Sequence, residues 1–128
     1  MTDYLADADR VVEIGIGRRP DLAAALVQAG VAVTATDVYD RTVPDGVRFV
    51  RDDILTPDRA IYANADAIYA RNLPPELHRP AFDVARDVDA EFLFTTLGGD
   101  EPVVPVERKR IESGTLYVAC DGPGPGPR

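Results

Sequence analysis

The sequence predicts an α/β fold, specifically a Rossmann-like three-layer α/β/α domain whose mostly parallel sheet ends in an antiparallel C-terminal hairpin. Short apolar runs typical of buried strands alternate with segments of helical spacing over most of the chain. A turn containing two glycines stands between the first apolar run and the first clear helix. The last two strand patterns are separated only by a short turn at residues 112–114, which predicts the hairpin.

The leading half of the chain supplies the first helices and strands of this fold. A short helix is expected first, capped by Thr2 or Asp3, and the next segments alternate strand and helix. A turn at residues 40–46 carries Pro44 and an Asp-Gly pair. Thr56 is expected to cap the helix that follows the third strand. The predicted ranges are helix 2–8, strand 11–14, helix 21–29, strand 31–36, strand 47–50 and helix 57–63.

The second half continues the alternation and then changes to antiparallel pairing. A loop with two prolines ends where Pro75 or Glu76 can open a helix, and apolar residues at helical spacing extend that helix to Val88. Pro80 falls in its first turns and is expected to limit or bend it. The predicted ranges are strand 67–70, helix 75–88, strand 92–97 and hairpin strands 103–111 and 115–119.

Length and composition predict one domain over residues 1–121, followed by a disordered tail of alternating glycine and proline over residues 122–128. The net charge is -8, from 22 acidic and 14 basic residues, so direct nucleic acid binding is not expected. Aspartate dominates the acids and Lys109 is the only lysine, a composition that resembles the cytosolic proteins of salt-loving archaea. Folding is therefore expected to need salt that screens the carboxylates.

A cytoplasmic location is expected. Cys120 is the only cysteine, so no disulfide can form within the chain. No stretch approaches the roughly 20 apolar residues of a membrane span.

One histidine and one cysteine cannot supply the usual nitrogen and sulfur ligands, so no metal site is expected. The single histidine, His78, is expected to be solvated on an exposed helix face.

The first strand, the glycine turn and the second strand predict a nucleoside-containing ligand. Gly15 and Gly17 let the backbone approach a ligand, and the free N–H groups of the following helix suit an anion. Asp37 ends the second strand 20 positions after Gly17, about where dinucleotide folds place a carboxylate for the ribose. Its strand-end position is expected to keep it out of the core. A turn-forming role in the loop that begins at Val38 is the alternative.

The chain resembles the nucleotide-binding half of class I S-adenosylmethionine-dependent methyltransferases at three places. They are the segment EIGIG at residues 13–17, the strand-terminal Asp37, and the segment DIL at residues 53–55. The chain is also similar to an uncharacterised family of short archaeal proteins with that fold. The resemblance covers residues 9–119 and implies S-adenosylmethionine as the cofactor, with an unknown methyl acceptor.

The resemblance also implies roles for individual residues. Glu13 would lie near the methionine end of the cofactor, Asp37 would hold the ribose hydroxyls, and Asp53 or the adjacent backbone of Ile54 would meet the adenine amino group. Asn72 is the candidate for a catalytic role, because its segment is reminiscent of the loop that orients an amine in amino-group methyltransferases.

Each of these assignments has a structural alternative. Glu13 is equally expected to form a salt bridge with Arg18 or Arg71. Asp53 is a candidate turn or helix cap, and Asn72 is a candidate turn former.

A second function stays open beside S-adenosylmethionine binding, namely a non-enzymatic regulatory module that binds NAD or another adenine nucleotide. Arg18 and Arg19 favour it, because two cations at the glycine turn suit phosphate, and Arg19 stands where the methyltransferases often have a third glycine. Glu13 favours S-adenosylmethionine, because a carboxylate there would face the pyrophosphate of a dinucleotide.

Overall fold

A computed structural model describes residues 1–112 and 114–120. The predicted tail at residues 122–128 and the last residue of the predicted domain lie outside the described residues. Within the described residues no helix is both long enough and apolar enough to cross a membrane.

The elements follow the predicted alternation of strands and helices. A single 3-10 turn, Pro75–Leu77, leads directly into the fourth helix. The bounds are α1 Thr2–Leu5, β1 Arg10–Ile14, α2 Asp21–Gln28, β2 Ala32–Asp37, β3 Val47–Arg51, α3 Arg59–Tyr62, β4 Ala67–Ala70, α4 His78–Asp87, β5 Glu91–Phe94, β6 Val106–Ile111 and β7 Gly114–Ala119.

The strands form one seven-stranded sheet in the order β3-β2-β1-β4-β5-β7-β6. The first five of these strands are parallel, and β7 runs antiparallel to both β5 and β6. This confirms the predicted α/β fold with a mostly parallel sheet and an antiparallel C-terminal hairpin. The chain order reverses at β1, which lies between β2 and β4, and ligands of open α/β sheets bind at the carboxyl ends of the strands at such a reversal.

Apolar side chains cover both faces of the sheet. Alternate residues of β1 point to opposite sides, so Val12 and Ile14 pack with α3 and α4 while Val11 packs with α1 and α2. Glu13 shares the side of Val11 and is 1% exposed. A carboxylate therefore occupies a core position one residue before the end of the central strand.

Several predicted element boundaries are wrong: α1 ends at Leu5 and not at residue 8, and β6 begins at Val106 and not at residue 103. Two further differences have reasons visible in the structure. The third helix begins at Arg59, two residues later than predicted, because Asp58 and not Thr56 is its cap and accepts a hydrogen bond from Ala60 N at 3.1 Å. The fifth strand ends at Phe94 and not at residue 97, since its pairing with β7 stops there. Thr95 then accepts a hydrogen bond from Leu73 N at 2.9 Å.

Candidate functional site

The glycine turn after β1 is hydrogen-bonded to the end of β2. Thr36 O accepts hydrogen bonds from Gly15 N at 2.9 Å and from Ile16 N at 3.1 Å. Gly15 and Gly17 both have positive φ values, 68° and 58°, which L residues rarely adopt. A Cβ built on Gly15 would have no atom within 4 Å, so this side of the turn is open to a ligand.

Asp37 closes the connection between the two strand ends. Its Oδ2 accepts a hydrogen bond from Gly17 N at 2.8 Å, and its Oδ1 accepts one from Tyr39 N at 3.0 Å. The expectation that Asp37 stays out of the core is wrong, because these bonds hold the residue at 7% exposure. The bond to Tyr39 is the turn that the alternative interpretation predicted, and the bond to Gly17 ties the same carboxylate to the glycine turn.

These contacts determine the ionisation of Asp37. Burial alone would raise the pKa of the carboxyl group, but the N–H groups of Tyr39 and Gly17 and the positive charge of Arg41 outweigh it. The net result is a pKa below the usual value, and Asp37 is a carboxylate at neutral pH. Arg41 Nε lies 3.3 Å from Asp37 Oδ2.

A cleft of about 470 Å³ adjoins Asp37 at the ends of β2 and β3 and is lined by Val38, Arg51, Asp52 and Asp53. Asp53 Oδ1 accepts a hydrogen bond from Leu55 N at 2.9 Å, so the turn-capping interpretation of Asp53 describes a contact that is present. Asp52 has a structural contact instead, because its Oδ2 accepts a 2.7 Å hydrogen bond from the Tyr62 hydroxyl.

Ile54, predicted beside the adenine, is 6% exposed and packs in the core on the side of α3 and α4. Its side chain therefore packs inside the fold, and any contact of Ile54 with a ligand would have to be made by its backbone.

Three exposed apolar side chains line this cleft or follow its lining residues in the sequence. Val38 is 45% exposed, Tyr39 is 64% exposed and Leu55 is 60% exposed. Burial of large apolar side chains of this kind against a ligand or another part of a protein is normally favourable. Sequence reasoning missed them, although an apolar pair directly after a strand that ends in aspartate is a visible signal for such a surface.

Glu13 lies on the central strand β1 and does not line this cleft. Its Oε1 accepts a 2.9 Å hydrogen bond from the hydroxyl of Tyr69, which is itself fully buried. Its Oε2 lies 3.7 Å from Arg71 Nη2, so one of the two predicted salt bridges is present. Burial raises the pKa of Glu13 to about 7, although Arg71 and the hydrogen bond from Tyr69 both oppose that rise.

Arg71 joins Glu13 to the start of α2. Its Nη1 lies 3.2 Å from both carboxylate oxygens of Asp21, the first residue of that helix. Its Nη2 also donates a hydrogen bond to the carbonyl of Arg19. Arg71 is 14% exposed, and its guanidinium is therefore engaged by three groups within the fold.

A second, larger cavity of about 720 Å³ lies beyond Arg71, at the carboxyl ends of β4 and β5 and against the tip of the β6–β7 hairpin. Asn72 lines it together with Thr95 and Thr96. Asn72 has φ 54°, a conformation that agrees with the turn-forming role predicted as its alternative, and its backbone N donates to Thr95 Oγ1 at 2.9 Å. Its side chain is exposed toward the cavity.

His78 is fully buried, so the expectation that it is solvated is wrong. The 3-10 turn before α4 brings the start of the helix inward, and the ring lies 4.5 Å from the ring of Phe94. Its Nε2 lies 2.9 Å from Leu73 O and its Nδ1 accepts from Val103 N at 3.2 Å. A neutral ring that donates through Nε2 satisfies both contacts.

The predicted residues thus fall into two groups. Gly15, Gly17 and Asp37 meet at the ends of β1 and β2, and Asp53 lines the adjoining cleft while Ile54, the next residue in the chain, is buried. Glu13 and Asn72 belong to the other side, toward Arg71 and the larger cavity. Among the described residues no group of three or more His, Cys, Asp or Glu side chains could hold a metal ion.

Solved structures of methyltransferases are similar to this chain in fold. The chain is similar to an RNA methyltransferase from Salinibacter ruber in complex with S-adenosyl-L-homocysteine, with TM-score 0.66 and 15% identity over 98% of this chain and 90% of that chain. It is also similar to the Burkholderia thailandensis 1,6-didemethyltoxoflavin-N1-methyltransferase with bound S-adenosylhomocysteine, with TM-score 0.57 and 19% identity over 91% of this chain and 56% of that one. The fold is therefore that of the class I S-adenosylmethionine-dependent methyltransferases.

Sequence relatives come from archaea. A UPF0146 protein of Halobacterium salinarum is 58% identical over 118 residues, which are 91% of this chain and 92% of the relative. A UPF0146 protein of Archaeoglobus fulgidus is 43% identical over 102 residues, 78% of each chain. The sequence profile of an uncharacterised protein family, UPF0146, matches residues 2–121. The chain belongs to the UPF0146 family.

Proposed function

We propose that this protein binds S-adenosylmethionine at the carboxyl ends of β1, β2 and β3. The observation that carries the proposal is the hydrogen bond from Gly17 N to Asp37 Oδ2, which joins the open glycine turn and a strand-end carboxylate in one site. A ribose whose hydroxyls donate to Asp37 would lie directly beside the turn. The two methyltransferases of the same fold hold S-adenosylhomocysteine, which supports a ligand of this class.

The surroundings fit the three parts of the ligand. The open side of Gly15 leaves room for the ligand next to the backbone. Val38 lines the cleft and offers exposed apolar surface for the adenine, and Asp53 or the backbone of Ile54 would meet its amino group. The methionine end would extend along the turn toward Glu13 and Arg71.

Methyl transfer is the finer part of the proposal. S-adenosylmethionine, when bound, supplies an activated methyl group, and the protein's task is then to orient it toward an acceptor. The cavity of about 720 Å³ is large enough for a small acceptor. Asn72 lines that cavity and is the candidate that would orient the acceptor, although its backbone also forms the turn after β4.

The proposal is tested by calorimetric titration of S-adenosylmethionine, S-adenosylhomocysteine and NAD in molar potassium chloride. We expect micromolar binding of the two sulfur ligands, about -8 kcal/mol. Tight binding of NAD without a response to either sulfur ligand would identify the site as one for dinucleotides instead.

Substitution of Asp37 then tests the assignment of the ribose. Asp37→Ala should weaken binding by about 1.5 to 3 kcal/mol, since a charged acceptor is lost. It should also lower the melting temperature, because Gly17 N and Tyr39 N lose their acceptor. Asp40→Ala, an exposed acid of the same loop, is the matched control and should change neither quantity. Unchanged binding by Asp37→Ala and Asp37→Asn would refute the ribose assignment.

A further inference from the structure

We propose that Arg41 is a specificity-determining residue that occupies, on Asp37, the acceptor position needed by a ribose hydroxyl, and that a nucleoside binds by replacing it. The inference rests on the proposed function, because it takes Asp37 as the ribose acceptor. It assigns to Arg41 the role of a competitor of the ligand, and not that of a ligand contact.

The contact between Arg41 and Asp37 is close but poorly aligned. The side chains are 22% and 7% exposed, and Nε lies 3.3 Å from Oδ2. Nε is buried, yet within the part of the chain that the structure describes it has no hydrogen-bond partner. The two groups therefore attract each other by charge without forming an aligned hydrogen bond, and a better donor can replace the arginine.

The acceptor positions of Asp37 explain why replacement is required. A carboxylate has about four positions for hydrogen-bond donors, two on each oxygen. Tyr39 N takes one on Oδ1 and Gly17 N takes one on Oδ2, which leaves one position on each oxygen. Two ribose hydroxyls would fill these two, but Arg41 Nε stands at the one on Oδ2.

Arg41 has a second contact besides Asp37, with the ring of Tyr39, which it can keep when it leaves Asp37. Its guanidinium carbon lies 5.3 Å from the ring centroid of Tyr39, and that ring is 64% exposed. An exposed tyrosine ring can hold a guanidinium group by a cation–π contact while the arginine keeps its charge in water. The side chain of Arg41 can therefore leave Asp37 while it keeps a contact within the same loop.

Arg41→Gln tests the inference, with S-adenosylhomocysteine as the probe because it carries no net charge. We expect the variant to bind about three- to tenfold more tightly than the parent at about 0.1 M potassium chloride, where screening of the ion pair is weakest. The gain should shrink at about 2 M salt, since salt weakens the same ion pair in the parent. Arg48→Gln removes an equal charge from the exposed side of β3 and should bind as the parent does.

A nucleoside without ribose hydroxyls separates competition from a general effect on the fold. Adenosine should gain affinity from Arg41→Gln, whereas 2′,3′-dideoxyadenosine should not, because it has no hydroxyl to place on Asp37. Arg41→Met provides a second variant in case Arg41→Gln melts at a much lower temperature than the parent, and the same pattern is expected.

The outcomes distinguish this inference from the proposed function. Weaker or unchanged binding by both Arg41 variants, with clear binding by the parent, overturns the inference and leaves the nucleoside site intact. An equal gain for adenosine and its dideoxy analogue overturns it as well. Absence of nucleoside binding by the parent and both variants at every salt concentration overturns the proposed function, and the inference with it.

Discussion

The ends of β1 and β2 each place a carboxylate beside the glycine turn, yet the two acids have opposite environments. Glu13 is enclosed by the sheet, and burial raises its pKa to about 7 in spite of Arg71 and Tyr69. Asp37 is also buried, but two backbone N–H groups and Arg41 hold its pKa below the usual value. Backbone donors thus keep Asp37 charged beside the glycine turn. Glu13, in contrast, is held inside the fold, where burial favours its protonated form.

The largest expected effect comes from removing the cation that Glu13 depends on. Arg71→Leu should destabilise the protein by about 3 kcal/mol or more at pH 8, because Glu13 loses its ion pair and must either stay charged in the interior or take up a proton. The loss should be smaller at pH 6, since Arg71 lowers the pKa of Glu13 and its removal lets the carboxyl group take up a proton more readily. Thermal melts in molar potassium chloride at both pH values measure this difference.

The control for Arg71→Leu is Arg59→Leu, which breaks the exposed ion pair with Asp87. That change should cost less than about 1 kcal/mol at either pH. Equal losses for the two leucine variants would show that Glu13 is not held by Arg71.

A smaller effect is expected when the carboxyl group itself is removed. The pKa of Glu13 is raised to about 7 in the fold, above its ordinary value, so the protonated form contributes stability that is present in acid and lost as pH rises through 7. Glu13→Gln stays neutral and should lack this loss. Relative to its own stability at pH 5, it should therefore retain roughly 1 to 3 kcal/mol more than the parent at pH 8.

Melts of the parent and of Glu13→Gln across this pH range provide the measurement. Glu76→Gln, an exposed acid, should follow the parent. Parallel pH profiles for the parent and Glu13→Gln would contradict the assignment of a raised pKa to Glu13.

The smallest effect concerns Asn72, at the end of β4. Asn72→Ala should cost about 1 kcal/mol, because alanine is disfavoured at φ 54°, whereas Asn72→Gly removes the same amide and keeps the backbone. Neither should alter the affinity for S-adenosylhomocysteine, since Asn72 lines the other cavity. Reduced affinity with both variants would bring Asn72 into the nucleoside site.

The fold was predictable from sequence because its signals are local and agree with one another. The apolar run before Gly15, the helix after Pro20 and the strand ending at Asp37 each follow from spacing or turn chemistry. The start of α3 was misplaced because Thr56 and Asp58 are both good caps, and only the tertiary path of the loop selects Asp58.

The site was predictable only in part, since its chemistry depends on contacts between distant segments. The spacing of Gly17 and Asp37 indicated their proximity, which the 2.8 Å hydrogen bond shows. The position of Arg41 was not predictable, because a separation of four residues carries no geometric meaning in a loop. The burial of His78 was likewise not predictable, because it depends on the path of the chain before α4. A single histidine in a helical pattern does not reveal that path.

The attachment of the glycine turn to β2 has a consequence for the kinetics of folding and of association. Gly15, Ile16 and Gly17 all donate their N–H groups to residues of β2, so the turn takes its shape only once β1 and β2 are paired. We therefore expect the turn to form together with the pairing of β1 and β2 and to be ordered before any ligand arrives. A ligand would then bind without the entropic cost of ordering a glycine loop. The amide protons of Gly15, Ile16 and Gly17 should exchange with solvent as slowly as those of the central strands.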